Sequence, residues 1–248
     1  MVQATTTGTP PSLSDLSADG PLALFLDFDG TLIDLAPTPE SIVVPHALAS
    51  RLERLADRFD GRVALVSGRS VQNITAHLGR LAVPVAGSHG LERVLADGSA
   101  IGPAVAPIPE EIGRAVSEFA AHAHGLQYEA KTYGAALHYR AAPDLEEEAK
   151  AFAGRLAAQS GLDVKQGKCV VELVARGANK GNAVRVFMQQ GAFAGASPIF
   201  VGDDLTDEDG MRAAIDLRGF GVIVGERCET LARYRLPSPE RVHEWLEL

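Results

Sequence analysis

Short apolar runs that stop abruptly at polar residues punctuate the first and last thirds of the chain. Leu22-Ala-Leu-Phe-Leu26 stops at Asp27, Val63-Ala-Leu-Val66 stops at Ser67-Gly68, and Val83-Pro-Val-Ala86 forms a third run. Ile199-Phe-Val201 and Val222-Ile-Val224 repeat the pattern near the C-terminus. Runs without polar alternation suit strands buried on both faces, as in a parallel sheet. Between them the period changes. Leu48, Leu52, Leu55 and Phe59 recur at helical spacing, as do Val71, Ile74 and Leu78, and then Val184 and Phe187. Alternating strands and helices of this kind predict a doubly wound, Rossmann-like α/β core with a parallel sheet.

The middle of the chain reads differently. A helix is predicted around Ile112, Val116 and Phe119, followed by strands over 127–130 and 135–140. A second helix over 145–156 is followed by strands over 162–165 and 169–174. This αββ-αββ order predicts an inserted α+β unit. The expected layout is therefore a core over 21–107 and 176–248, interrupted by a cap over 108–175. Residues 1–20, rich in Thr, Ser, Pro and Gly and without periodicity, are expected to form a mobile arm.

Composition narrows the class. At 248 residues the chain lies between one and two domains at roughly 150 residues each. With 46% apolar and 22% charged residues, it can bury a sizeable core and is not wholly disordered. Its net charge of −9 disfavours a nucleic-acid partner, and also a small anionic substrate unless a cation supplies local positive charge. The two cysteines, Cys169 and Cys228, are expected to be reduced thiols, with Cys169 buried in an apolar run. No apolar stretch approaches the ~20 residues that span a membrane, and Met1–Pro11 lacks the features of a signal peptide. A cytoplasmic, monomeric protein without a membrane partner is the expectation.

The polar residues that end the strand runs carry the candidate chemistry, because ligands of open α/β sheets bind beyond the carboxyl ends of the strands. Asp27 and Asp29, two residues apart in extended chain, share a face. Their charges conflict unless a cation or proton is shared, although an Asp-Gly turn explains the same residues. Ser67-Gly68-Arg69-Ser70 places backbone N–H groups ahead of a helix, where they suit either a phosphate or an ordinary cap. In Asp203-Asp204-Leu205-Thr206-Asp207-Glu208-Asp209, five of seven positions are acidic, which fits a hard cation such as Mg²⁺ at Asp203 and a helix start from Thr206. Lys180 on its own reads as a solvated lysine at the head of a helix.

Taken in order, Asp-x-Asp, Ser, Lys and Gly-Asp-Asp resemble the four motifs of the haloacid dehalogenase superfamily of phosphatases. The resemblance implies that Asp27 is a nucleophile forming an aspartyl-phosphate and that Asp29 is the acid and base. It further implies that Ser67 and Lys180 hold phosphoryl oxygens, and that Mg²⁺ binds Asp27, Asp203 and the backbone carbonyl of Asp29. Closure of the cap is implied to exclude water.

Further segments narrow the family. Ala36-Pro-Thr-Pro39, Gly87-Ser-His-Gly-Leu-Glu92, Glu129-Ala-Lys131, His138-Tyr-Arg140 and Gly167-Lys-Cys-Val-Val-Glu172 are similar to trehalose-6-phosphate phosphatases, from about Leu22 to the C-terminus. One departure is Gly210-Met211, where relatives commonly carry Ala-Phe. The resemblance implies trehalose 6-phosphate as substrate, with Glu129, Lys131, Lys168 and Glu172 as sugar contacts. By period-2 spacing, Glu129 and Lys131 share a strand face, and so do Lys168 and Glu172; ordinary cross-strand ion pairs explain them equally. His89 fits either a substrate contact or a turn histidine, and Arg140 either a phosphate or sugar contact or a structural pair. The rival readings are a phosphatase for another sugar phosphate, such as sucrose phosphate or mannosyl phosphoglycerate, and a non-catalytic sugar-phosphate sensor.

Overall fold

A computed structural model describes residues 8–36, 38 and 41–248. Of the Ala36-Pro-Thr-Pro39 segment, Pro37 and Pro39 lie outside the described residues. In chain order, the first part contains α1 (Leu13–Ser17), β1 (Leu22–Leu26), α2 (Leu48–Arg58), β2 (Val63–Val66), α3 (Val71–Leu78), β3 (Val85–Gly87) and β4 (Glu92–Val94). The middle holds α4 (Glu110–Ala121), β5 (Gln127–Lys131), β6 (Gly134–His138), α5 (Glu146–Ser160), β7 (Asp163–Gly167) and β8 (Val170–Val174). The last part holds α6 (Lys180–Met188), β9 (Ser197–Gly202), α7 (Asp207–Asp216), β10 (Phe220–Val224), β11 (Tyr234–Leu236) and α8 (Pro239–Leu246). The chain divides into two compact units, one formed by Met1–Gly102 with Asn179–Leu248 and the other by Pro103–Ala178.

The first unit is built on a seven-stranded sheet in the order β11-β10-β9-β1-β2-β3-β4. All its pairings are parallel except that of β4, which runs antiparallel to β3 at one edge. Every residue of β1 is buried, and successive residues feed opposite sides. Leu22, Leu24 and Leu26 join the cluster with Leu48, Leu52 and Leu55 of α2 and Val242 of α8. Ala23 and Phe25 join the other cluster, with Val184 and Phe187 of α6 and Met211 of α7. Two covered faces are why β1 reads as an uninterrupted apolar run. Phe25 stacks on Phe187 at 6.4 Å and on Phe193 at 5.6 Å between ring centres. Truncating such a ring costs about 3–5 kcal/mol.

The expectation of a solvated N-terminal arm does not hold for the described part of residues 1–20. Ser12 caps α1 through its Oγ, which accepts from Asp15 N at 3.1 Å, and Leu13 is buried in the core. Trp245 Nε1 also donates to Pro11 O at 2.8 Å. One buried leucine and a good cap suffice where the flanking composition suggests none.

The second unit is a four-stranded antiparallel sheet, β5-β6-β8-β7, in the αββ-αββ order. Ile112 and Val116 of α4 and Ala149 and Ala153 of α5 pack with Leu137, Val171 and Leu173, which all point to one face of the sheet. Phe119 and Phe152 stack at 4.0 Å between the two helices.

Candidate active site

The first unit's topology produces one crevice. From β1 the chain proceeds through β2 to β3 on one side, and after the insert through β9, β10 and β11 on the other. β1, β2 and β9 therefore lie at the point where strand order reverses, and their carboxyl ends present Asp27, Ser67 and Asp203. Crevices at such switch points are where open α/β sheets bind ligands.

Asp27 extends the ladder of β1, donating its N–H to Val201 O at 2.9 Å, and its side chain is buried. Lys180 meets it there. Asn179 caps α6, its Oδ1 accepting from Asn182 N at 3.1 Å, which sets Lys180 in the first turn. Lys180 Nζ lies 2.6 Å from Asp27 Oδ1 and 2.7 Å from Asp207 Oδ1. The solvated reading of this lysine is thus overturned: it is 3% exposed. Burial, then the charge of Asp207, push the Asp27 carboxyl well above the ordinary range, against the pull of Lys180. Burial alone would push the Lys180 ammonium down, but Asp207 and Asp27 outweigh it and raise it well above its ordinary value.

Asp207 is the site residue that sequence reasoning passed over, assigning it only to a helix start. Its Oδ1 receives Lys180, and its Oδ2 receives the N–H groups of Asp203 at 3.0 Å and Asp204 at 2.9 Å. The signal was the four-residue spacing from Asp203, which lets the first turn of α7 reach back to the end of β9.

Carboxylate oxygens of Asp27, Asp203 and Asp207 lie within 4.8 Å of one another. Since both oxygens of Asp207 are engaged, Asp27 and Asp203 are the side chains that fit a hard, oxygen-seeking cation. Gly30, at φ 76°, makes room for that arrangement: a Cβ there would stand 2.3 Å from Asp203 Oδ2. The Asp29 carboxylate turns away from this cluster to Arg69, whose Nε and Nη2 reach it at 2.6 and 2.8 Å.

The Ser67–Arg69 loop is fixed from behind. Ser67 N donates to Ala86 O at 2.8 Å, His89 N to Ser67 O at 3.0 Å and Ser88 N to Arg69 O at 2.7 Å. Ser88 and His89 hold left-handed backbone, at φ 50° and 54°, a conformation that costs about 1–3 kcal/mol per non-glycine residue and clusters at functional sites. The His89 ring is buried against Gly68.

In the second unit, antiparallel register sets Glu129, Lys131, His138 and Glu172 on the sheet face opposite the helices. Lys131 Nζ lies 2.9 Å from Glu172 Oε2, and His138 Nε2 lies 2.9 Å from Glu129 Oε2. Burial pushes the Glu129 carboxyl up, but the His138 hydrogen bond and the Lys131 charge outweigh it, and the net shift is downward. Lys168 does not share the face of Glu172 through strand alternation. It sits in the turn between β7 and β8, where Cys169 at φ 62° breaks the extended period. Arg140 follows the end of β6 and donates to Lys168 O at 3.3 Å. Cys169 is half-buried rather than buried, and both cysteines are free thiols.

The sequence profile described as trehalose-phosphatase matches residues 25–239. The chain is 39% identical over 231 residues to the trehalose-6-phosphate phosphatase of Escherichia coli (strain K12), an alignment covering 91% of this chain and 85% of that one. It is 38% identical over 216 residues to a probable trehalose-phosphate phosphatase of Sinorhizobium fredii, covering 86% and 82%. Among solved structures it is similar to a trehalose-6-phosphate phosphatase related protein, with TM-score 0.72 and 25% identity over 91% of this chain and 95% of that one. The C-terminal domain of the C. albicans trehalose-6-phosphate phosphatase shares the fold at TM-score 0.80 and 22% identity, over 96% of each chain.

Proposed function

The chain belongs to the trehalose-phosphatase family, and from that premise we propose that it hydrolyses trehalose 6-phosphate to trehalose and phosphate through an aspartyl-phosphate on Asp27. It is a phosphoric monoester hydrolase of the haloacid dehalogenase superfamily. The observation that carries the mechanism is the buried contact of Asp27 with Lys180, 2.6 Å apart at the switch point of the sheet.

In this reading one Asp27 oxygen attacks phosphorus as the bond to the sugar oxygen breaks. Asp29 gives its proton to that oxygen, and trehalose leaves. Asp29, now a carboxylate, takes a proton from water as the water oxygen attacks phosphorus, releasing phosphate and restoring Asp27. Ser67 and Lys180 hold phosphoryl oxygens, and the Gly68–Arg69 backbone lies in the loop that receives them. Mg²⁺, held by Asp27, Asp203 and the Asp29 carbonyl, would supply the positive charge that makes a phosphate dianion acceptable among carboxylates. Glu129, Lys131 and Glu172, with Lys168, Arg140 and His89, are assigned to the substrate, the insert's acidic and basic groups matching the many hydroxyls of an uncharged disaccharide.

Phosphate release from trehalose 6-phosphate, glucose 6-phosphate and sucrose 6-phosphate, with Mg²⁺ and with EDTA, tests this. Trehalose 6-phosphate is expected to be turned over fastest, and EDTA to abolish turnover. Equal or faster release from another ester would overturn the substrate, and undiminished activity in EDTA the cofactor.

A further inference from the structure

Asp29 lies beyond the end of β1, and its side chain is 28% exposed, a position from which a carboxylate turns freely unless held. Arg69 holds it with a two-point grip, Nε to Oδ2 at 2.6 Å and Nη2 to Oδ1 at 2.8 Å. Such a fork defines the plane and direction of a carboxylate, which a single contact does not. The guanidinium is itself held. Nη1 donates to Asn73 Oδ1 at 2.8 Å, and Asn73 N is tied to the helix-capping Ser70 Oγ at 3.1 Å. The Arg69 backbone is anchored at both ends, N to Ser67 Oγ at 3.1 Å and O from Ser88 N at 2.7 Å. Here the fork is turned on a carboxylate of the same site.

We propose that Arg69 is the positioning residue of Asp29, with Asn73 holding Arg69 in place. Each Asp29 oxygen keeps a second lone pair beside the one that accepts from Arg69. The proton that passes to the ester oxygen, and is later taken from water, sits on such a lone pair, so the fork fixes the direction of the transfer. This inference rests on the reading of Asp29 as acid and base.

Leaving-group chemistry tests it. A sugar alkoxide must be protonated as it departs, whereas p-nitrophenolate leaves unprotonated, so only the sugar ester needs a well-aimed acid. Release of the alcohol in a single turnover, with the full-length enzyme in excess and Mg²⁺ present, reads the first step alone. Arg69→Ala is expected to slow trehalose release about 10- to 100-fold with little change in apparent affinity, and to slow p-nitrophenolate release less than about threefold. Arg69→Lys, which keeps the charge and loses the fork, is expected to fall between, and Asn73→Ala to show a weaker form of the same pattern. These two milder variants report the pattern even where Arg69→Ala does not fold.

Weakened binding of trehalose 6-phosphate at an unchanged rate would make Arg69 a substrate contact and overturn the proposal. So would equal losses on both esters, or an Arg69→Lys enzyme that matches the wild type. Asp29→Asn separates the two levels. If it slows both esters equally, the acid reading of Asp29 fails and this inference fails with it. If it is selective while Arg69→Ala is not, this inference alone fails.

Discussion

Three aspartates of one crevice meet three different fates, decided by what each carboxylate touches. Asp207 is fully buried and receives three donors, from Lys180 and the backbone of Asp203 and Asp204, so its charge is compensated on both oxygens. Asp29 is gripped by Arg69. Asp27 has Lys180 on one oxygen and, among the described residues, a long 3.4 Å contact from Thr31 on the other, which is the oxygen that attacks phosphorus in the proposed mechanism. A neutral isostere should therefore act differently at the two buried positions. Asp27→Asn removes one carboxylate from a crowded cluster and is expected to abolish turnover while lowering stability by less than about 1 kcal/mol. Asp207→Asn leaves Lys180 and two backbone donors short of a charged partner and is expected to cost about 3 kcal/mol. Urea unfolding in EDTA measures both; a larger loss for Asp27→Asn than for Asp207→Asn would overturn this division of roles.

At the scale of elements, what the sequence revealed followed how strongly each element is buried. β1, β2 and β9 bury both faces and end on charged or hydroxyl residues, so both the sheet and the ends that carry Asp27, Ser67 and Asp203 were legible. Short edge strands were not. β4 and β11, three residues each, carry Arg93 and Arg235 within them and show no apolar run. Candidate site residues could be named from the sequence where a motif marked them, while Asp207 was hidden because one residue both starts a helix and closes back on β9. Lys168 was misplaced because a single left-handed residue, Cys169, stops a period-2 count that spacing alone continues. The Gly210 departure has a packing counterpart: a Cβ there would come within 2.2 Å of the Phe200 ring, so the glycine makes room for an aromatic on β9. Cross-strand pairing in the insert also gives a pH signature. Glu129 is held below its ordinary value of 4.5, so the folded state binds its proton less readily than the unfolded state. The stabilisation is then complete well above that value and lost as pH falls through the lowered one. In urea unfolding from about pH 3 to about pH 7, the advantage of wild type over Glu129→Gln is expected to grow with pH and then level off. A gap that is constant across the range would show that Glu129 is not the group responsible.

For the whole molecule, the net charge of −9 and an anionic ester are reconciled by where the charges lie. Lys180 and the acidic cluster of Asp27, Asp203 and Asp207 occupy the switch point of the first unit, where the proposed cation would bind, while the second unit carries a mixed acidic and basic face, proposed to meet a neutral sugar. No helix among the described residues is long and apolar enough to cross a membrane. The proposed division of labour predicts that chemistry and substrate choice can be separated by mutation. Lys131 and Glu172 are strand residues that pair at 2.9 Å, and neither belongs to the phosphoryl-transfer cluster. A hydrogen bond to a charged group is worth about 1.5–3 kcal/mol, so Lys131→Ala or Glu172→Ala is expected to lower kcat/KM for trehalose 6-phosphate by about 10- to 100-fold. p-Nitrophenyl phosphate presents no disaccharide, and its kcat/KM is expected to stay within about twofold of wild type. The ratio of the two specificity constants, measured on the same preparations, decides the matter, because a merely structural ion pair would depress both esters together. Lys168→Ala adds a second comparison: as an exposed turn residue it has little to contribute to the fold, so a selective loss there reports contact with the sugar alone.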